Sequence, residues 1–207
     1  MSNWFTADKT GLSNLQARRP PGWRIGETLQ NPWDEDGVRE VAVVLQASED
    51  PNLSILICVD DSPTGFRDLS HAYTLFAESY KTDDAEKRGR FNLGEKLVLA
   101  TAVEARITST TGTIHFNDEG RSEDPDHKRN TGTEFYAVIH MTADEREEEL
   151  QAVRRFVPPE GIVTRINGAT LDRPTAKTSF QTTLDTLVAR EGGVMKPTRR
   201  KTTVTIY

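Results

Sequence analysis

Hydrophobic and polar positions alternate along this chain with changing period, and the period predicts the elements. In 25–46, Val41, Val44 and Leu45 fall at helical spacing, so the segment is expected to be mostly helical, with Pro32 kinking or interrupting it. The apolar run "LSILICVDD" at 53–61 ends in acids and predicts a buried strand running into a loop. In "FRDLSHAYTLFAESY" the residues Phe66, Leu69, Tyr73, Phe76 and Tyr80 step by three and four, which predicts an amphipathic helix. The polar "KTDDAEKRGRFN" reads as a loop, and "GEKLVLATA" as a helix. Two strands, "VEARITSTT" and "GTIHFNDEG", are expected to meet at Gly112, followed by a loop tip "RSEDPDHKRN" and a strand "TGTEFYAVIHM".

"TADEREEELQAVRRF" opens on a Thr cap, carries acids in its first turns and ends in arginines, so it suits its own dipole as a helix. Short strands and turns follow Pro158 and Pro159, then a helix-like "FQTTLDTLVAR" and a terminal strand "KTTVTIY". Runs of strands beside helices, without strict alternation, predict an α+β two-layer sandwich. Residues 1–22 read as an N-terminal arm ending in Pro20, Pro21 and Gly22, with Trp4 and Phe5 as its large apolar side chains. A main domain is expected over 23–157 and a C-terminal extension over 158–207.

Composition narrows the class of protein. The chain has 207 residues, 35% hydrophobic and 28% charged, as expected of a soluble globular protein. No apolar run reaches the roughly 18 residues a spanning helix needs, and the start lacks a signal-peptide core. A single cysteine, Cys58, excludes an internal disulfide and fits a cytoplasmic protein with a buried, inert thiol. The net charge of -6 argues against a chain held on nucleic acid by phosphate contacts throughout. Its basic clusters ("ARRPPGWR", Arg154–Arg155, "TRRK") read as solvated faces. The histidines, His71, His115, His127 and His140, show no metal spacing.

Three stretches carry chemistry. "GETLQNPWDE" sets Glu27, Asn31 and Asp34 on one helix face: a carboxylate able to deprotonate a water stands one turn from an amide oxygen able to ligate a hard cation. "VDDSPTGF" puts Asp61 at a strand end, placed to accept from an exocyclic amine, and Gly65 where a backbone could pass close to a flat ring. "GRFNLGEK" has the glycine-rich look of a loop that hugs phosphate at a helix start, without the spacing of a Walker loop. Taken singly, these fit an exposed face, a strand end and a turn; their order and spacing together favour a nucleotide site.

Over roughly residues 23–141, E-x-x-x-N-x-x-D, then V-x-D-x-x-x-G, then G-x-x-x-x-G-x-K, with Gly132–Thr133 opening a late strand, resembles the GHKL superfamily of Bergerat-fold ATPases. The style is closest to topoisomerase and mismatch-repair ATPase domains. The resemblance implies a mixed, mostly antiparallel sheet with helices on one face, and Mg²⁺-dependent binding and hydrolysis of ATP. It implies Glu27 as general base, Asn31 as the Mg²⁺ ligand, and Asp61 reading the adenine amine with Thr133 in support. Gly65 would lie under the base; Gly89, Asn92, Leu93 and Gly94 would form the phosphate loop, with Lys96 adding charge and Asp34 completing the first motif.

ATP is expected to close a lid at about 77–93 and to drive homodimerisation, with other protein domains or DNA engaged through parts outside this chain. Pro63, Asn92 and Pro32 depart from the family pattern. "INGATLDRP" suggests the start of a transducer-like domain, with Lys177, Lys196 and Lys201 as candidates for its phosphate-reaching lysine. Alternatives are a nucleotide-gated interaction module with little turnover, a GHKL-type protein kinase, and an α+β binding domain without a nucleotide site.

Overall fold

The computed structural model describes residues 7–77, 93–189 and 195–207. Among them, an eight-stranded sheet runs in the order β5-β4-β3-β6-β2-β1-β7-β8. Its strands are β1 (Glu40–Ala47), β2 (Leu53–Asp60), β3 (Ala102–Ser109), β4 (Gly112–Asn117), β5 (Gly120–Asp124), β6 (Glu134–His140), β7 (Val163–Ile166) and β8 (Ala169–Thr170). All neighbours are antiparallel except β1 and β7. The fold is therefore an α+β sandwich with a mixed, mostly antiparallel sheet.

One sheet face is the core. Val41, Val43 and Leu45 of β1 lie opposite Asp60, Cys58 and Leu56 of β2, and β6 continues the row with Phe135, Ala137 and Ile139. The two-residue period of a strand sends this set to a single side, where the helices cover it. They are α2 (Trp23–Trp33), packed on β1 and β2; α3 (Gly94–Ala100), on β3; and α4 (Ala143–Val153), on β1. A short helix α1 (Lys9–Leu15) lies on α3 within the N-terminal arm.

Several predicted elements differ. The helix expected over 25–46 stops at Trp33, because Pro32 ends it and Gly37 turns the chain at φ 82°, and β1 follows with its own alternation. The amphipathic helix expected from Phe66 onward is a 3₁₀ turn at Leu69–Ala72: the Asp68 side chain caps Ser70 N and Phe76 sits at φ 57°. The first half of the loop tip at 121–130 pairs as β5. Arg190 of the helix-like "FQTTLDTLVAR" lies outside the described residues, and residues 180–189 lie in a strand, β9 (Thr178–Ala189), paired over its full length with β10 (Met195–Ile206). Its β-branched threonines and valine suit a pleated ribbon better than a helix. This ribbon forms a separate two-stranded sheet.

Candidate nucleotide site

The site grows from α2. Its N-terminus has no side-chain cap of its own; Gly22, at φ 92°, is the cap residue. The missing acceptor comes from Glu149 of α4, almost fully buried, whose carboxylate accepts from Gly22 N (2.8 Å), Arg24 N (2.8 Å) and Ile25 N (3.1 Å). Near the other end, Pro32 has no N–H for the Thr28 carbonyl; the Cys58 thiol points there instead, with Sγ 3.9 Å from that oxygen. Burial pushes the Cys58 thiol far up, so it is the inert cysteine expected.

On the other side of α2, Glu27 and Asn31 face the first turn of α3. Glu27 Oε2 lies so close to Gly94 that a Cβ there would overlap it. Asn31 Nδ2 donates to Glu95 Oε2 at 3.0 Å, and Lys96 Nζ donates to Glu95 Oε1 at 3.3 Å, with Glu95 and Lys96 both buried. Asp34, buried, is the C-cap residue of α2. Leu93 is the N-cap residue of α3, while Gly89, Asn92, most of the expected lid, and Trp4 and Phe5 lie outside the described residues.

The second wall is the end of β2. Asp61 Oδ1 accepts from Arg39 N (2.8 Å) and Glu40 N (3.0 Å), so its carboxylate closes the start of β1. Asp60 belongs to the residue set that faces the helices. Its Oδ1 accepts from Ser62 N at 2.8 Å, and the Thr133 N–H also reaches its carboxylate. Burial pushes Asp60 up to about 6, those two N–H groups oppose the rise, and the charges of Glu35 and Asp61 add to it.

Gly132 and Gly65 are required by contact here. A Cβ on Gly132, at φ 71°, would overlap the Asp60 carbonyl, and one on Gly65, at φ 57°, would come within 2.5 Å of Ser109 Oγ. Ser109 Oγ in turn accepts from Phe66 N and stands 3.5 Å from Thr133 Oγ1. The end of β2, the Gly65 turn and the Gly132–Thr133 entry to β6 are thus knit together.

Glu27, Asn31, Gly94 and Lys96 form one cluster, and Gly65, Gly132 and Thr133 form another around Asp60. Sequence reasoning passed over Asp60, Glu95, Arg19 and Glu149. Strand alternation counted forward from Leu56 and Cys58 was the available signal for Asp60. A separate cleft of about 470 Å³ between α1, α3, β3 and β4 is lined by Lys96 but not by Glu27, Asn31 or Asp60.

The folded arrangement has known counterparts. The ATPase and transducer domains of DNA topoisomerase II from Balamuthia mandrillaris superpose with a TM-score of 0.53 at 16% identity, over 72% of this chain and 48% of that one. The ATPase region of Saccharomyces cerevisiae topoisomerase II bound to ICRF-187 (dexrazoxane) gives a TM-score of 0.53 at 14% identity, over 73% of this chain and 49% of that one. This chain therefore shares the fold of those domains, the Bergerat fold, and it spans about half the length of those chains. No protein-family model and no curated protein sequence matches it.

Proposed function

We propose that the chain binds MgATP between α2, the first turn of α3 and the ends of β2 and β6, and hydrolyses it. The observation that carries this reading is the convergence of Glu27 and Asn31 with Gly94 across two helices, on a fold shared with topoisomerase II ATPase domains. Asp60, on the helix side of the sheet, takes the role of reading the adenine amine, with Thr133 beside it; Asp61 braces the backbone.

The residues suit a magnesium ion. Asn31 offers a hard amide oxygen on a side chain whose nitrogen is turned to Glu95, and among the described residues no group of three His, Cys, Asp or Glu forms a metal cage. Mg²⁺ held by one protein oxygen, waters and substrate phosphates matches that donor set. When bound, the ion neutralises charge on the phosphates. In hydrolysis Glu27 takes a proton from the attacking water, whose oxygen bonds to the γ-phosphorus; the bond from that phosphorus to the bridging oxygen breaks, and ADP and phosphate leave. Lid closure over the nucleotide, homodimerisation and coupling to further protein domains or DNA belong to the same proposal.

A calorimetric titration with a non-hydrolysable ATP analogue and Mg²⁺ tests binding, and phosphate release tests turnover. Glu27→Ala should keep analogue binding within about threefold and lower kcat by about a hundredfold or more. Retained turnover in that variant removes Glu27 as the base; no saturable binding by the wild-type chain removes the nucleotide site.

A further inference from the structure

The structure holds Glu27 in an ion pair that competes with a water for its carboxylate. Its Oε1 is 2.6 Å from Arg19 Nη1 and its Oε2 is pressed against Gly94. A water aligned on a phosphorus needs a carboxylate oxygen of Glu27, and Arg19 holds Oε1. Arg19 belongs to neither motif helix: it sits in the turn between α1 and α2, its N–H bonded to Gln16 O at 2.9 Å. Its guanidinium carbon lies 5.1 Å from the Trp23 ring centre, which steadies it beside the acid. The cation of the next motif, Lys96, is turned to Glu95.

We infer that Arg19 is a positioning residue that masks Glu27 and, with a triphosphate bound, is shared between that acid and the phosphates, so that it restrains the base during turnover. This rests on the reading of Glu27 as the base. The side chains of the pair keep 35% and 21% of their exposure, so solvent and salt weaken their attraction. A guanidinium also matches phosphate oxygens in a two-pronged geometry, and a triphosphate carries more charge than one carboxylate. With nucleotide bound Arg19 thus divides its time between the acid and the substrate, and Glu27 is free only while Arg19 is on the phosphates. Because α1 packs on α3 and Arg19 follows α1, the turn that carries the mask is tied to the element that carries Gly94.

The test compares wild type, Arg19→Gln, Arg19→Lys and Glu27→Gln by MgATP turnover and by calorimetric binding of the non-hydrolysable analogue. Masking expects Arg19→Gln to raise kcat about threefold or more with analogue Kd within about twofold, and Arg19→Lys to stay near wild type. Raising KCl from about 50 to about 500 mM at saturating nucleotide should raise wild-type kcat and leave Arg19→Gln unchanged. An unchanged or lower kcat in folded Arg19→Gln, or an equal salt response in both proteins, overturns the mask while leaving the base reading intact. If Arg19→Gln does not fold, a wild-type kcat that does not rise with salt overturns it. Full turnover in Glu27→Gln instead overturns the base assignment, and absent analogue binding in every protein overturns the nucleotide site.

Discussion

Asp60 and Asp61 are neighbours in sequence but act on different surroundings. Asp60 is half-buried among the site residues, with its pKa raised from 3.8 to about 6, whereas burial pushes Asp61 up but the backbone N–H groups of Glu40 and Arg39 together hold it below its ordinary value. For Asp60 the folded value lies above the unfolded one, so its contribution to stability is full below about pH 4 and is lost as pH rises through about 6. On the proposed reading of adenine by an ionised Asp60, analogue binding should behave the other way: calorimetry at pH 5 should give a Kd about tenfold weaker than at pH 7.5. Asp60→Ala should weaken binding about tenfold or more and flatten that profile, whereas Asp61→Ala should leave Kd nearly unchanged and cost about 1 kcal/mol in denaturant unfolding. The opposite pattern would return the base-reading role to Asp61. Two adjacent acids cannot be told apart by a motif; the pleat separates them, because Asp60 shares the parity of Leu56 and Cys58 and Asp61 does not.

At the scale of elements, Glu149 connects the site helix to α4 across 127 positions of sequence. It caps three backbone N–H groups of α2 from a nearly solvent-free position, so Glu149→Ala should lower unfolding free energy by about 3 kcal/mol in chemical denaturation. A loss below about 1 kcal/mol would mean that water replaces the carboxylate. The capping box of α4, Thr142 with Glu145, was legible because its partners are three residues apart. Glu149 and Arg19 were not, since in sequence they are one more Glu in an acidic helix and one more Arg in a basic arm. The same limit explains the elements that differ. Val41, Val44 and Leu45 satisfy a helical spacing as well as a strand, and the decision fell to Pro32 and Gly37 upstream. Residues 180–189 took the strand form that their partner β10 offers.

For the whole molecule, the eight-stranded sheet and its helices hold the site, and β7 and β8 complete that sheet beyond Pro159. Trp33 Nε1 bonds Thr164 Oγ1 at 3.0 Å, which ties the end of the site helix to β7. The ribbon of β9 and β10 joins this body at its base, where Arg173 bonds the Pro158 carbonyl and stacks 5.2 Å from the Tyr207 ring centre. Phe180, Leu184, Leu187 and Ile206 on it remain exposed. A chain ending at residue 172 should therefore melt within about 3 °C of the full chain and keep its analogue affinity, as calorimetry and a thermal scan would record. A larger fall would mean that the ribbon supports the core.

The ribbon's paired length also sets a mechanical ratio. Twelve residues per strand extend about 40 Å, so a rotation of about 10° at the Arg173 anchor would sweep the far end through about 7 Å. Small changes of tilt in the body that holds the proposed nucleotide site would reach the far end of this arm as displacements longer than a peptide unit.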